Sequence, residues 1–86
     1  MIKLFVSSSV PHCPACKAAR KYFNMVSLEY EEIDIATNRP EANLMYKKSS
    51  SLMIPQITIG EEVVIGFSAR QVGSAINKII RNASVK

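Results

Sequence analysis

Apolar and polar residues alternate along the chain in a pattern that predicts short strands and helices in turn. The opening run MIKLFV is rich in apolar and β-favouring residues and predicts a buried first strand. From Pro14 the apolar residues recur at intervals of three and four, which predicts a helix with one buried face. That face is expected to consist of Cys16, Ala19, Tyr22 or Phe23, and Val26. Pro14 suits the first helical position, because its missing N–H would have no partner there.

The rest of the chain predicts three further strands and two further helices. The stretch SLEYEEIDI predicts the second strand, and Asn38 is expected to cap a second helix. The stretches IPQITIG and EEVVIG predict a β-hairpin with its turn at Gly60 and Glu61. Ser68 is expected to cap the last helix. The second helix is expected to bury Ala42, Met45 and Tyr46. The last helix is expected to bury Val72, Ile76, Ile79 and Ile80.

The order of these elements, β-α-β-α-β-β-α, restricts the topology. The first βαβ unit is expected to be parallel with a right-handed crossover, and the last two strands antiparallel. A four-stranded mixed sheet flanked by three helices, with helices on both faces, buries all the predicted apolar faces together. The sequence therefore predicts an α/β fold of thioredoxin-like architecture, with residues 1–86 as a single domain.

Length, composition and charge narrow the possible function classes. The chain has 86 residues, 48% of them hydrophobic, which is typical of one small folded domain. Its net charge of +4 is scattered and not interleaved with base-stacking aromatics, so we expect no nucleic-acid partner. MIKLFV is too short for a signal peptide, and no apolar run reaches about 18 residues. We therefore expect a cytoplasmic monomer that binds no membrane.

The candidate chemistry lies in the motif CPAC, where Cys13 and Cys16 stand between the first strand and the first helix. This spacing permits a redox couple, a metal site or a structural disulfide. A structural disulfide is disfavoured in a cytoplasmic chain. A structural zinc site needs four ligands, and the two cysteines with His12 fall short unless a dimer completes the set. The motif therefore favours redox chemistry, with no resident metal.

The predicted start of the helix gives the two cysteines different roles. Cys13 lies beside the N-cap, where unpaired N–H groups and the positive end of the helix dipole lower a thiol pKa from ~8.5 into the range of ~3.5–7.5. Cys13 is thus expected to attack a substrate disulfide, and Cys16, one turn along on the buried face, to resolve the mixed disulfide. His12 could stabilise the Cys13 thiolate or polarise a substrate, or could be an ordinary exposed histidine.

Three segments together resemble the glutaredoxin family: CPAC after the first strand, MIPQITIG with its Ile54–Pro55 step, and VVIGF before the last helix. The likeness spans nearly the whole chain and is greatest to small glutaredoxin-like redoxins, including those that serve ribonucleotide reductase. It implies a thiol–disulfide oxidoreductase of electron transport and cell redox homeostasis. It also implies a cis peptide bond before Pro55 and a substrate groove positioned by Ile54 and Pro55 and bordered by Gly66, Phe67 and Ser68. Phe67 either packs against a substrate or fills the core, and His12 is a further candidate for substrate or glutathione binding.

Several positions depart from the pattern of glutaredoxins that use glutathione. Ser9, Val10 and Pro11 stand where a basic residue is common, and Ala15 where an aromatic residue is common. Residues 66–70 read GFSAR where that pattern has two glycines and an acidic residue. We expect the substrates to be protein disulfides or glutathione mixed disulfides. The expected reductant is either glutathione, as a co-substrate, or a flavoenzyme of the thioredoxin-reductase type, and no bound cofactor is expected.

The main alternative function is metal carriage through the same cysteines. Small copper-chaperone domains also place C-x-x-C between a first strand and a first helix, and they bind Cu(I) through two thiolates. That fold needs a strand where RPEANLMYKK predicts a helix. A dimeric iron–sulfur complex held by Cys13 and external thiols is a further alternative. A binding module without chemistry is disfavoured by the intact motif.

Overall fold

The computed structural model describes residues 2–84, and residues 81–84 by their backbone only. The elements follow the predicted order: β1 (Ile2–Val6), α1 (Pro14–Met25), β2 (Glu31–Asp34), α2 (Arg39–Ser49), β3 (Gln56–Ile59), β4 (Glu62–Ile65) and α3 (Ala69–Ser84). The strands form one sheet in the order β2-β1-β3-β4. β1 and β2 are parallel, and β3 is antiparallel to both of its neighbours. The predicted α/β fold, a four-stranded mixed sheet with three helices, is confirmed.

The sheet is covered by helices on both faces. Side chains alternate along β1, so that Leu4 packs with Phe23 of α1 and Val72 of α3 in the larger core. Phe5, the next residue along, packs in a smaller core with Met45 of α2. α1 and α3 therefore lie on one face of the sheet and α2 on the other.

Four apolar residues that we expected to be buried are exposed. Val26 is the C-cap of α1, one residue past Met25, and it is 42% exposed. Tyr46 is 51% exposed because its neighbour Met45 occupies the single stripe of α2 that faces the sheet. Ile79 and Ile80 are 38% and 58% exposed. Ile79 lies beside Gly60 in the β3–β4 turn, where these two strands end, so α3 reaches the end of the sheet at this residue.

The three helices begin where the sequence predicts. Cys13 is the N-cap of α1 and Pro14 is its first residue. The side chain of Asn38 accepts a hydrogen bond from the Glu41 N–H at 3.3 Å at the start of α2. The Ser68 hydroxyl accepts one from the N–H of the third residue of α3 at 3.4 Å. Short polar side chains thus satisfy the first helical N–H groups, as N-caps normally do.

The strand register brings several loops together at one end of the strands, which we call the loop edge of the sheet. Val6 at the end of β1 pairs with Asp34 at the end of β2, and Gln56 at the start of β3 pairs with Ile65 at the end of β4. The loops that follow β1 and β4, and the loop that precedes β3, therefore meet at this edge. CPAC lies at the end of the first of these loops. No helix within residues 2–84 has the length and apolar character needed to cross a bilayer.

Candidate active site

A disulfide joins Cys13 and Cys16 across the first turn of α1. Their Cα atoms lie 5.2 Å apart, within the range usual for cystines. Cys13 is partly exposed, whereas Cys16 is only 2% exposed and belongs to the larger core. A partner can therefore reach Cys13 directly, and Cys16 is shielded behind it.

The sulfur of Cys13 occupies the position of an N-cap acceptor. The main-chain N–H of Cys16 donates a hydrogen bond to Cys13 Sγ at 3.2 Å. The main-chain oxygen of Cys13 accepts from the N–H of Lys17 at 3.1 Å, which closes the first helical turn. After reduction, a negative sulfur at this position gains both from the N–H donor and from the positive end of the helix dipole. Both effects favour the thiolate form of Cys13.

Asp34, at the end of β2, holds the loop that leads to the cysteines. Its Oδ1 accepts hydrogen bonds from the N–H of Ser8 at 2.9 Å and from the N–H of Ala36 at 3.0 Å. These bonds, that of Ser8 first, lower the pKa of Asp34 below its ordinary value. Sequence reasoning missed this residue. The available signal was the parallel pairing of the first two strands, which places the end of β2 beside the loop after β1.

A groove of about 270 Å³ opens beside the two cysteines on the β2 side of the site. Its charged lining consists of Lys17 and Arg20 from α1, and Glu32 and Asp34 from β2. The guanidinium of Arg20 donates to both carboxylate oxygens of Glu32, at 2.8 and 3.0 Å. This hydrogen bonding to Glu32 raises the pKa of Arg20. Arg20 and Glu32 neutralise each other's charge, and Lys17 adds an exposed cation near the sulfurs.

Ile54, Pro55 and Gly66 meet on the other side of the site. The Ile54–Pro55 peptide bond is cis. The carbonyl oxygen of Pro55 accepts a hydrogen bond from the N–H of Gly66 at 2.7 Å, which ties the two loops together. Within residues 2–84, the N–H and C=O of Ile54 have no hydrogen-bond partner. The C=O of Ile54 can therefore accept a hydrogen bond from an incoming segment, and its N–H can donate one to that segment.

The other predicted site residues are placed as follows. Cys13, Ile54 and Phe67 are partly buried, and each packs against the larger core cluster. The ring of Phe67 lies 5.7 Å from that of Tyr22, centre to centre. His12 is exposed next to Cys13, and the hydroxyl of Ser68 is engaged in capping α3. The roles of these side chains in binding stay predictions.

Once the disulfide is reduced, the site offers two thiols as metal ligands. Among the residues that the structure describes, no three or more His, Cys, Asp and Glu side chains lie close enough together to hold a metal ion. A metal bound by Cys13 and Cys16 would need its remaining ligands from another molecule.

Comparison with known proteins agrees with the geometry. The family model described as Glutaredoxin matches residues 2–64. An uncharacterized glutaredoxin-like 8.6 kDa protein, from the rubredoxin operon of Clostridium pasteurianum, is 27% identical over 78 residues, which cover 91% of this chain and all of that protein.

Solved structures show the same fold. The thioredoxin-like protein BC3987 aligns with a TM-score of 0.76 at 24% identity, over 87% of this chain and 99% of its own. The glutaredoxin (grx-1) of Archaeoglobus fulgidus aligns with a TM-score of 0.73 at 19% identity, over 87% of this chain and 84% of its own. The predicted thioredoxin-like architecture is confirmed.

Proposed function

This chain belongs to the glutaredoxin family, and from that premise we propose that it is a dithiol oxidoreductase that reduces disulfides through a Cys13/Cys16 couple. The observation that carries the proposal is the hydrogen bond from the Cys16 N–H to Cys13 Sγ at the start of α1. It stabilises a thiolate on the exposed cysteine, while the buried cysteine lies within disulfide distance.

The reaction begins with the reduced protein. The thiolate of Cys13 attacks one sulfur of a substrate disulfide, a bond forms between the two sulfurs, and the other substrate sulfur leaves as a thiolate that takes a proton from water. Cys16 then gives up its proton and attacks Cys13 Sγ. The bond between Cys13 and the substrate breaks, and the second substrate sulfur leaves as a thiolate that takes up a proton in place of the one Cys16 lost. The substrate has gained two electrons and two protons, and the protein has become the Cys13–Cys16 disulfide.

Two thiols of a reductant restore the dithiol by the reverse exchange. The proposed reductants are glutathione, two molecules of which become one glutathione disulfide, and a flavoenzyme of the thioredoxin-reductase type. The proposed substrates are protein disulfides and glutathione mixed disulfides, reduced in the cytoplasm by a monomer without bound cofactor.

The loops beside the cysteines supply the proposed substrate groove. An extended segment that pairs with the N–H and C=O of Ile54 would add a strand to this edge of the protein. Pro55 and Gly66 hold that main chain through their mutual hydrogen bond. His12, Phe67 and Ser68 are proposed to border the bound segment.

A turnover assay with two reductant systems tests the proposal. The consumption of NADPH measures the reduction of insulin and of a glutathione mixed disulfide. One arm contains glutathione and its reductase, and the other contains thioredoxin reductase. Cys13→Ser is expected to abolish turnover, and Cys16→Ser to accumulate a mixed disulfide on Cys13 that mass spectrometry detects. Absence of turnover in both arms, together with stoichiometric copper or iron in the purified protein, would instead support metal carriage.

A further inference from the structure

Two large apolar side chains are exposed beside the proposed substrate groove. Leu52 and Met53 lie in the loop between α2 and β3, immediately before Ile54, and each is 62% exposed. Single exposed apolar residues are common on protein surfaces, whereas contiguous exposed apolar patches mark interaction sites and ligand-binding grooves. We call Leu52 and Met53 the apolar rim.

The loop that carries the apolar rim is fixed by hydrogen bonds. The main-chain oxygen of Ser51 accepts from Gln56 Nε2 at 2.8 Å and from the hydroxyl of Ser49 at 3.1 Å. The N–H of Ser51 donates to the Ser49 hydroxyl at 3.2 Å, and the N–H of Met53 donates to the Ser51 hydroxyl at 3.0 Å. The exposure of the rim is therefore imposed by an ordered loop, and a partner that binds there does not have to order it first.

The position of the rim determines what it can touch. A substrate segment that pairs with the main chain of Ile54 runs alongside residues 52 and 53, because paired strands bring neighbouring side chains into contact. An apolar side chain next to the substrate cysteine would be buried against the rim. A polar side chain there would gain nothing.

The charge of the surrounding loops favours the same kind of substrate. Residues 50–55 and 66–69, which flank the groove on this side, include no charged side chain. Glutathione carries two carboxylates and an ammonium group, and it offers no large apolar side chain. On this side, the groove is therefore better matched to an uncharged, apolar protein segment than to glutathione, whereas the exposed cation Lys17 lies on the opposite, β2 side of the cysteines.

We propose that the apolar rim of Leu52 and Met53 selects, as substrates, extended protein segments with an apolar side chain next to the disulfide, in preference to glutathione mixed disulfides. This inference rests on the proposed oxidoreductase function, and it names the substrate class that the site takes.

The test compares three substrates with the same leaving thiol. Two are peptides that differ only in a Leu or a Ser next to the cysteine, and the third is the glutathione adduct. Each is offered to wild type, to Leu52→Ser/Met53→Ser, and to the control Leu44→Ser/Met25→Ser. The control changes the same residue types at positions that are 55% and 71% exposed, on α2 and at the end of α1.

The rim variant is expected to lose about tenfold in kcat/KM for the Leu peptide, the size of effect that burial of an apolar side chain produces. It should stay within about twofold of wild type for the Ser peptide and for the glutathione adduct, and the control variant should match wild type on all three substrates. A second variant, Met53→Lys, adds a cation to the rim. It should raise kcat/KM for the glutathione adduct and lower it for the Leu peptide.

Other outcomes contradict the inference in distinguishable ways. Equal loss on all three substrates would show a general structural role for the loop. Unchanged kinetics in both rim variants, or a wild type that prefers the glutathione adduct to the Leu peptide, would exclude substrate selection by the rim. A wild type that reduces none of the substrates would overturn the proposed oxidoreductase function itself.

Discussion

The main-chain N–H of Cys16 lies 3.2 Å from the sulfur of Cys13 and donates a hydrogen bond to it. In most helices the side-chain oxygen of a Ser, Thr, Asp or Asn accepts such a bond. Here a sulfur takes that position, at the end of the helix where negative charge is stabilised. The local geometry that begins the helix thus also favours a thiolate on Cys13, the proposed nucleophile.

Acid should weaken the fold through Asp34. Its folded-state pKa lies below the ordinary 3.8, so the stability it contributes is complete above about pH 3.8. That contribution is lost as the pH falls below 3.8 through the folded-state pKa. Urea midpoints of wild type and Asp34→Asn, measured from neutral pH into the acid range, should therefore differ most above pH 3.8 and converge below it. The control Glu61→Gln, an exposed carboxylate in the β3–β4 turn, should run parallel to wild type in the same window, and parallel curves for Asp34→Asn would contradict this account.

Replacing Gln56 with methionine should not destabilise the protein. Gln56 is fully buried, and its Oε1 has no hydrogen-bond partner among the described residues. Loss of one neutral hydrogen bond costs ~0.5–1.5 kcal/mol, whereas relief of an unsatisfied buried acceptor gains ~1–3 kcal/mol. The oxygen of Ser51 also keeps its bond from the hydroxyl of Ser49. Urea unfolding of Gln56→Met should give an unfolding free energy no more than ~0.5 kcal/mol below that of wild type, and up to ~2.5 kcal/mol above it.

A destabilisation of Gln56→Met by more than about 1 kcal/mol would mean that Oε1 has a partner, such as a buried water molecule.

Gly66→Ala should lower the proposed disulfide-reductase activity more than it lowers stability. Gly66 has φ 82°, and among the described residues, its two chain neighbours aside, no atom lies within 4 Å of the position a Cβ would take. The cost is therefore that of the backbone conformation alone, ~1–2 kcal/mol. Because the N–H of Gly66 holds Pro55, relaxation of this strain displaces the loop beside the cysteines. We expect kcat/KM for disulfide reduction to fall severalfold.

Gly60→Ala is the matched control for Gly66→Ala. Gly60 also has a positive φ, of 60°, but it lies in the β3–β4 turn, at the end of the strands opposite to the cysteines. A Cβ there would lie 3.1 Å from Ile79, so the loss of stability should be at least as large. Its activity, measured well below the unfolding midpoint, should remain near that of wild type. Equal loss of activity in both variants would show that stability alone is responsible.

The Arg20–Glu32 ion pair should contribute little to stability. Its two side chains are 37% and 36% exposed, so solvent screens the attraction despite the bidentate geometry. A double-mutant cycle with Arg20→Gln and Glu32→Gln should give a coupling energy of ~0.2–1 kcal/mol at low salt. The coupling should shrink in about 1 M salt, where charges are screened within ~3 Å. A coupling that is larger and independent of salt would contradict this expectation.

The sequence was sufficient for the element order and the helix starts, because these depend on local signals. Pro14 and Asn38 each mark a helix start from within one turn of it, and the apolar spacing identifies Ala19 and Phe23 as core residues. The periodicity was insufficient for Tyr46 and Ile80. Whether such a residue is buried depends on how wide the covering sheet is and where it ends.

The residues that shape the site from a distance could not be predicted in the same way. Asp34 is 26 residues from Ser8 along the chain, and its hydrogen bond exists only once β1 and β2 pair. Gln56 was predicted to lie in a strand, but its bond to Ser51 depends on how the preceding loop folds back. Such contacts form only in the tertiary structure, and no local sequence pattern predicts them.

The pKa of the Cys13 thiol is the most direct test of the central claim. In the variant Cys16→Ser the main-chain N–H is retained and Cys13 is the single thiol, so its alkylation rate can be followed against pH. We expect the rate to reach half its maximum between pH ~3.5 and pH ~7.5 in the folded protein, and at pH ~8.5 in the urea-unfolded chain. A folded-state midpoint at or above ~8.5 would contradict it, because the start of α1 would then give the thiolate no stabilisation.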